Sequence, residues 1–147
     1  MIAARGDTSA GTMGSILAAR IQVRGCTGVV TDGAYRDSPT IAASGLPAYA
    51  AAMNAHTNKT VHHPSEIQVP IACGGVAVFP GDLLVGDQEG VVVIPAHMAA
   101  AVAAEAEEME QKERFIMEKI RSGASIVGTY PPDEATLAEY RAWKEEK

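Results

Sequence analysis

Between residues 10 and 37 the chain changes its apolar period, and that change limits the folds open to it. Met13, Leu17 and Ile21, with Ile16 and Val23 beside them, recur at helical spacing, which predicts a helix over residues 10 to 24. Thr8, Ser9 and Thr12 are candidate N-caps, and Gly25 is a candidate stop. Directly after it, Thr27-Gly28-Val29-Val30-Thr31-Asp32 is short and β-branched, as a buried strand is. A helix feeding straight into a buried strand needs both kinds of layer, so the class is α/β. Gly33 is expected to turn the chain into Arg36-Asp37.

The remainder fits that class. Ser38-Pro39 can open a short helix, since Pro is tolerated in the first helical turn. Leu46-Pro47-Ala48-Tyr49 reads as a further short strand, and residues 54 to 65 as a polar loop. Four strand-like pieces follow, at Ile67 to Ile71, Val76 to Phe79, Leu83 to Val85 and Val91 to Ile94. Pro80-Gly81-Asp82 and Asp87-Gln88-Glu89-Gly90 are turns between them, so hairpins or a small barrel are expected. A long helix is expected over about 96–122, with Met98, Val102, Ala106, Met109, Ile116 and Ile120 on one face and a solvated Glu-rich face opposite. Gly123 would end it, and Asp133 would cap a helical tail over about 133–145 with Leu137, Tyr140 and Trp143 on one stripe. The 147 residues suit one domain, 1–147.

Charge narrows the partners. A net charge of −6 does not suit a nucleic-acid surface, which needs clustered Lys and Arg. Met1-Ile2-Ala3-Ala4-Arg5 lacks the apolar run of a signal peptide or membrane span, so no membrane partner and a cytoplasmic location are expected. Met1 to Ala4 reads like the end of a strand, which implies upstream sequence or a sheet completed by another chain. Cys26 and Cys73 are too few and too far apart for a disulfide framework or zinc knuckle, and are expected as buried free thiols.

Two segments can carry chemistry. Gly11-Thr12-Met13-Gly14-Ser15-Ile16-Leu17 places glycines near a helix start, where unpaired N–H groups and the helix dipole favour an anion. Arg36-Asp37 follows a buried strand, at the strand end where α/β folds bind ligands. Arg grips carboxylates in a bidentate way, and Asp offers a hard oxygen for Mg²⁺. Each segment also has a structural reading: a plain turn for the first, and a surface ion pair or a helix cap at Asp37 for the second. Adjacent His62 and His63 point opposite ways on an extended segment and do not suit one metal, and His97 has no obvious partner. Asp82 and Asp87 read as turn residues.

In order along the chain stand Gly6-Asp7, the Gly14 to Leu17 turn, Arg24-Gly25-Cys26-Thr27-Gly28-Val29-Val30-Thr31-Asp32-Gly33, Arg36-Asp37, Pro70-Ile71-Ala72-Cys73-Gly74-Gly75, Val78-Phe79-Pro80-Gly81-Asp82 and Gly86-Asp87-Gln88-Glu89-Gly90-Val91-Val92-Val93-Ile94-Pro95. This ordered set closely resembles the RraA-like family, which includes 4-hydroxy-4-methyl-2-oxoglutarate aldolases that also decarboxylate oxaloacetate, and regulators of ribonuclease E activity. The tail with Tyr130-Pro131-Pro132 is similar to the longer members. The resemblance implies a swivelling β/β/α domain, shortened at its N-terminus, assembled as a homotrimer or a multiple of it. It implies a lyase acting on a small 2-oxo acid, with Mg²⁺ or Mn²⁺ held at Asp37. Arg36 would contact substrate and the developing enolate, and Gly14, Ser15, Ile16 and Leu17 would bind the pyruvate moiety.

Three features depart from the family pattern. Ser15 and Thr40 stand where the aldolases usually carry acids, and the chain starts late relative to the family. A binder does not need those acids, so the alternative is a non-catalytic protein-binding regulator of a ribonuclease. In the aldolases a neighbouring subunit also supplies a Glu near the metal, which has no safe match here.

Overall fold

The computed structural model describes residues 1–145. They fall into two compact units, Met1–Ala96 and the residues from His97 onward.

The first unit is built on a parallel sheet. Strands β1 (Gly11–Met13), β2 (Val29–Tyr35) and β3 (Ala48–Met53) lie side by side in that order. Parallel neighbours cannot be joined by a tight turn and need crossovers. Helix α1 (Ser15–Val23) makes the first and α2 (Ser38–Ala43) the second. Register is set by pairs such as Gly11 with Ala34, Val29 with Ala48 and Tyr35 with Met53. Met13, Ala18, Val29, Tyr35, Ile41 and Leu46 form the core between sheet and helices. Truncating one of its large aliphatics, such as Ile41 to Ala, would cost about 2–5 kcal/mol. Ile2 adds a single parallel bridge to Thr31, its N–H donating to Val30 O at 2.8 Å, so the expected strand end at Met1 to Ala4 is one bridge long.

Two local expectations are corrected. Residues 10 to 24 are not one helix: Gly11–Met13 is strand, and α1 begins at Ser15 after an extended Gly14. Pairing with β2 outweighs local periodicity, and Thr12 Oγ1, expected to cap, donates to Ala34 O at 3.0 Å. Ser9 likewise bonds locally to Asp7, and α1 has no side-chain cap. Gly33 does not turn the chain, because β2 runs through it to Tyr35. Its role is close packing: a Cβ there would lie 2.6 Å from Ala4 Cβ and 2.9 Å from Thr12 Cγ2.

Hairpins form as expected, but only one closes at an expected turn, residues 87–90; Pro80-Gly81-Asp82 links strands that do not pair with each other. β4 (Ile71–Cys73) pairs antiparallel with β5 (Val76–Val78), and β6 (Leu83–Gly86) with β7 (Val91–Ile94). Gly74 and Gly75, at φ +61° and +80°, make the first turn, with both central residues left-handed as a type I′ turn requires. The piece expected from Ile67 is strand only from Ile71. Asp82 accepts from the N–H of Phe79 at 2.8 Å and of Ala96 at 3.2 Å, while Asp87 accepts from those of Glu89 and Gly90. Cys73 is a buried free thiol; Cys26 is only half-buried, its thiol donating to Gly28 O.

In the second unit α3 (Ala99–Arg121) follows a 3-10 turn at Ala96–Met98, and α4 (Glu134–Glu145) packs against it. Phe115, Ile116 and Tyr140 form the core with Ile120 and Trp143, the Phe115 ring centroid lying 5.7 Å from those of Tyr140 and Trp143. The expected apolar face of α3 is buried only toward its C-terminal end: Met98 and Met109 are exposed, since the shorter α4 cannot cover the whole of α3. Glu108 is not merely solvated, because it accepts from Tyr140 Oη at 3.0 Å and pairs with Lys144. Asp133 caps as expected, accepting from Thr136 N–H at 2.8 Å. Among the described residues no helix is long and apolar enough to cross a membrane.

Candidate active site

β1 and β2 are parallel neighbours, so their carboxyl ends emerge side by side. From β1 the chain passes through Gly14 into α1, and from β2 through Arg36 and Asp37 into α2. The two connections are tied together by Arg36 N–H, which donates to Met13 O at 2.8 Å. Open α/β sheets bind ligands in this crevice.

Asp37 is left-handed, at φ 57° and ψ 33°, a conformation Asp tolerates better than most residues. It holds the N-cap position of α2, yet its side chain makes no capping hydrogen bond there. The carboxylate reaches to the start of α1 instead. Oδ2 accepts from Ser15 N–H and from Ser15 Oγ, each at 3.1 Å. Oδ1 lies 3.5 Å from Arg36 Nε. The Ser15 backbone bond above all, helped by the Ser15 hydroxyl and Arg36, holds the Asp37 pKa below its ordinary value against the opposing effect of desolvation. At 41% and 37% side-chain exposure, Arg36 and Asp37 are open to solvent, so their mutual attraction contributes little to stability and both remain able to meet a ligand.

Glycine makes this approach possible. A Cβ at Gly14 would lie 2.9 Å from Asp37 Oδ2 and 3.2 Å from Arg36 Nη2. At Gly11 it would lie 2.8 Å from Arg36 N. The Gly14 backbone, φ −120° and ψ 178°, is open to any residue, so the constraint there is space.

A cavity of about 480 Å³ opens beside these groups, lined among others by Gly14, Ile16, Leu17, Arg20, Arg36 and Lys59. Small-molecule sites fall in this size range. No acidic residue lines it. Thr57, Asn58 and Lys59 enter from the loop after β3, which is bound to β1 by Gly11 N–H donating to His56 O at 2.9 Å. A larger concavity, about 980 Å³, contains Arg5, Asp32, Tyr49 and Gly74. Its carboxylate is already used by backbone: Asp32 accepts from the N–H of Ala4 at 2.6 Å, of Gly6 at 3.1 Å and of Gly74 at 3.5 Å. The smaller cavity is the one that Arg36 and the start of α1 line.

The structure brings Gly14, Ser15, Ile16, Leu17, Arg36 and Asp37 to one place. Thr40 is exposed on α2, its N–H donating to Asp37 O. His62 lies 3.4 Å from Ala10 O through its ring, while His63 and His97 are exposed. Arg20 and Lys59 were not anticipated. Arg20 follows Ile16 and Leu17 at helical spacing, which is a usable signal; nothing local ties Lys59 to the site, since only the fold brings its loop there.

A metal finds a partial donor set. No group of three or more His, Cys, Asp or Glu residues fit to hold an ion occurs among the described residues. Asp37 and the Ser15 hydroxyl are hard oxygens side by side, and Mg²⁺ commonly binds through one or two carboxylates while keeping several waters. The residues present fit a metal of that kind.

The family model described as RraA-like, Aldolase/RraA, matches residues 1–93, within the first unit. A Halalkalibacterium halodurans protein named "Putative 4-hydroxy-4-methyl-2-oxoglutarate aldolase" is 34% identical over 82% of the chain and 59% of its own length. An uncharacterized protein of Methanocaldococcus jannaschii is 33% identical over 85% of the chain and 60% of its own. The chain thus spans about 60% of the length of these curated relatives. Among solved structures, an uncharacterized protein from Pseudomonas syringae superposes with a TM-score of 0.82 at 31% identity, covering 87% of this chain and 64% of that one. A Streptomyces coelicolor structure, described as an unusual member of the RNase ES inhibitor RraA protein family, gives 0.73 at 34% identity over 80% and 59%.

Proposed function

The chain belongs to the RraA-like family, and from that premise we propose that it is a metal-dependent lyase that releases pyruvate from oxaloacetate or 4-hydroxy-2-oxo acids. The observation that carries this reading is that Arg36 and the start of α1 line one cavity, with Asp37 beside it, bonded to Ser15 and paired with Arg36.

Asp37, with the Ser15 hydroxyl beside it, would hold Mg²⁺ or Mn²⁺. Such an ion, when bound, supplies Lewis-acid polarisation of the 2-oxo group. The chain's own groups do the rest. The Ser15 amide is taken by Asp37; the remaining amides at the α1 start, those of Ile16 and Leu17 beside Gly14, lie at the positive end of the helix dipole and would hold the substrate carboxylate. The Arg36 guanidinium would sit against the oxygen on which enolate charge develops, and such a fixed cation is worth most in the transition state.

Proton balance favours one of the two reactions. Retro-aldol cleavage breaks C3–C4 and needs a base for the 4-hydroxyl proton. Decarboxylation breaks the bond to the departing CO₂, which takes no proton from the enzyme; the enolate carbon is then protonated from water. With Ser15 in place of an acid and no acidic residue lining the cavity, oxaloacetate decarboxylation is the better-supported activity. The decisive experiment supplies oxaloacetate with Mg²⁺ and follows pyruvate by a coupled assay. Metal-dependent release that is lost in Asp37→Asn supports the lyase. No release above the metal-only rate rejects it.

The protein would act in the cytoplasm as a homo-oligomer, a trimer or a multiple of it. The exposed apolar side chain of Val23 on α1, 81% exposed, and that of Met53 at the end of β3 support burial against a second copy. The second reading is a ribonuclease regulator, favoured by Ser15 and by the described role of the Streptomyces relative. Capture of a ribonuclease, unaffected by Asp37→Asn, would support it.

A further inference from the structure

We infer that the start of α3, from Met98 to Met109, is a docking surface for a second copy of this chain, whose own α3 lies on it antiparallel. The inference goes beyond the lyase reading and uses none of the residues assigned to the site.

α3 is 23 residues long and α4 only 12. The core they share, Phe115, Ile116 and Tyr140 with Ile120 and Trp143, draws on the second half of α3 alone. The first half keeps an apolar stripe of its own. Met98, Val102, Ala106 and Met109 follow one another at four, four and three residues, which is the spacing of one helix face. Met98 is 46% and Met109 58% exposed; Ala106 is exposed and Val102 half-buried. Long thioether side chains repack readily against another helix. Exposed Glu113, four residues beyond Met109, ends the stripe.

Charge identifies the occupant. The charged residues between Ala99 and Gln111 are Glu105, Glu107, Glu108 and Glu110, all in the later part of that segment. At its other end stand the first-turn N–H groups of α3, the positive end of the helix dipole. No side-chain cap and no acid in the first turn offsets them. The surface is therefore positive at Met98 and negative at Glu110. Two copies laid parallel would set like ends together. Laid antiparallel, each acidic end meets the uncapped start of the other helix. With the crossing between Val102 and Ala106, Met98 of one copy faces Met109 of the other, and Val102 faces Ala106, a larger residue against a smaller one. The contact is self-complementary, so it closes at a pair. The stripe is about 17 Å long, too short for a standard-sized interface. The pairing is accordingly weak and reversible, and it doubles whatever assembly the first unit forms.

The test is sedimentation velocity of the whole chain from about 1 to 200 μM, the range in which a weak contact fills. The mass found at the lowest concentration is expected to double at the highest. Met98→Gln combined with Met109→Gln should hold the protein at the lower mass throughout, with the far-UV circular dichroism spectrum unchanged, because both side chains lie outside the core. Glu110→Lys should weaken the doubling severalfold at low salt. Orientation is read from disulfides between copies under a mild oxidant, above the wild-type level. A mixture of Val102→Cys and Ala106→Cys chains should cross-link in higher yield than either variant alone. A single mass across the range, or a doubling that survives both Gln substitutions, overturns the inference. Preferential cross-linking of each cysteine variant with itself overturns the antiparallel pairing.

Discussion

The Asp37 carboxylate bonds to Ser15 twice, accepting from its backbone N–H and its hydroxyl at 3.1 Å each. One side chain after β2 thus fixes the start of the helix after β1, and the site is the joint between two crossovers. Removing its charge while keeping its shape should be decisive. Asp37→Asn is expected to lower metal-dependent pyruvate release by about a hundredfold or more, with the far-UV circular dichroism spectrum unchanged. Retained turnover would show that the carboxylate is not needed.

The same bonds set the pH response. The Ser15 amide, then the Ser15 hydroxyl and Arg36, keep the Asp37 pKa below the ordinary 3.8. A depressed carboxylate stabilises the fold above its unfolded pKa, and the contribution is lost only as pH falls through the lower folded value. Asp37 therefore stays ionised above about pH 5, and no acid limb in that range belongs to it. In Ser15→Ala and Ser15→Gly, which keep the amide, Asp37 should titrate somewhat higher, as read by NMR of the carboxyl carbon.

Gly14→Ala should separate space from backbone preference. The backbone there accepts alanine, but the new methyl would press on Asp37 Oδ2 and Arg36 Nη2. Turnover is expected to fall at least about tenfold, the scale of a misplaced reacting group, while thermal unfolding moves little. An alanine variant as active as wild type would mean that the two side chains move aside freely.

Ser15→Asp tests the proton argument. A carboxylate there supplies a base for the 4-hydroxyl, although repulsion from Asp37 will raise the pKa of one of the pair. Cleavage of 4-hydroxy-4-methyl-2-oxoglutarate should rise relative to oxaloacetate decarboxylation, within the roughly 10²–10⁴-fold range of general-base effects. An unchanged ratio of the two rates would count against Ser15 as the cause of the preference.

Tyr35 offers a stability test away from the chemistry. Its hydroxyl is buried with no hydrogen-bond partner among the described residues, and burial, aided by Cys73 and Cys26, pushes its pKa up. An unsatisfied buried hydroxyl is unfavourable, so Tyr35→Phe should stabilise the first unit by about 1 kcal/mol in urea titrations. Destabilisation would point to a partner such as an internal water.

Much of this site was legible as sequence because its parts are local. Glycines at a helix start and Arg-Asp after a β-branched run are short patterns with direct physical meaning, and their order along the chain pointed to the family. The expectations that needed correction were decided at long range. Gly11–Met13 is drawn from helical periodicity into a strand by pairing with β2. Gly33 packs closely against Ala4 and Thr12 instead of turning the chain. Lys59 reaches the cavity because its loop is bonded back to β1, a contact that no window around residue 59 contains. In the second unit the apolar spacing of α3 was plain, but the length of its partner helix decided how much of it is covered.

The left-handed turn at Asp37 has a consequence for transplanting this site. Along an extended strand, neighbouring side chains part to opposite faces: Tyr35 goes to the core and Arg36 comes out. The reversed backbone at Asp37 swings its carboxylate back beside Arg36, so two consecutive letters serve one ligand. An Arg-Asp dipeptide grafted onto a straight strand of another scaffold would lose this shared direction. The portable unit is the dipeptide with its turn, together with a glycine on the adjoining connection to leave it room.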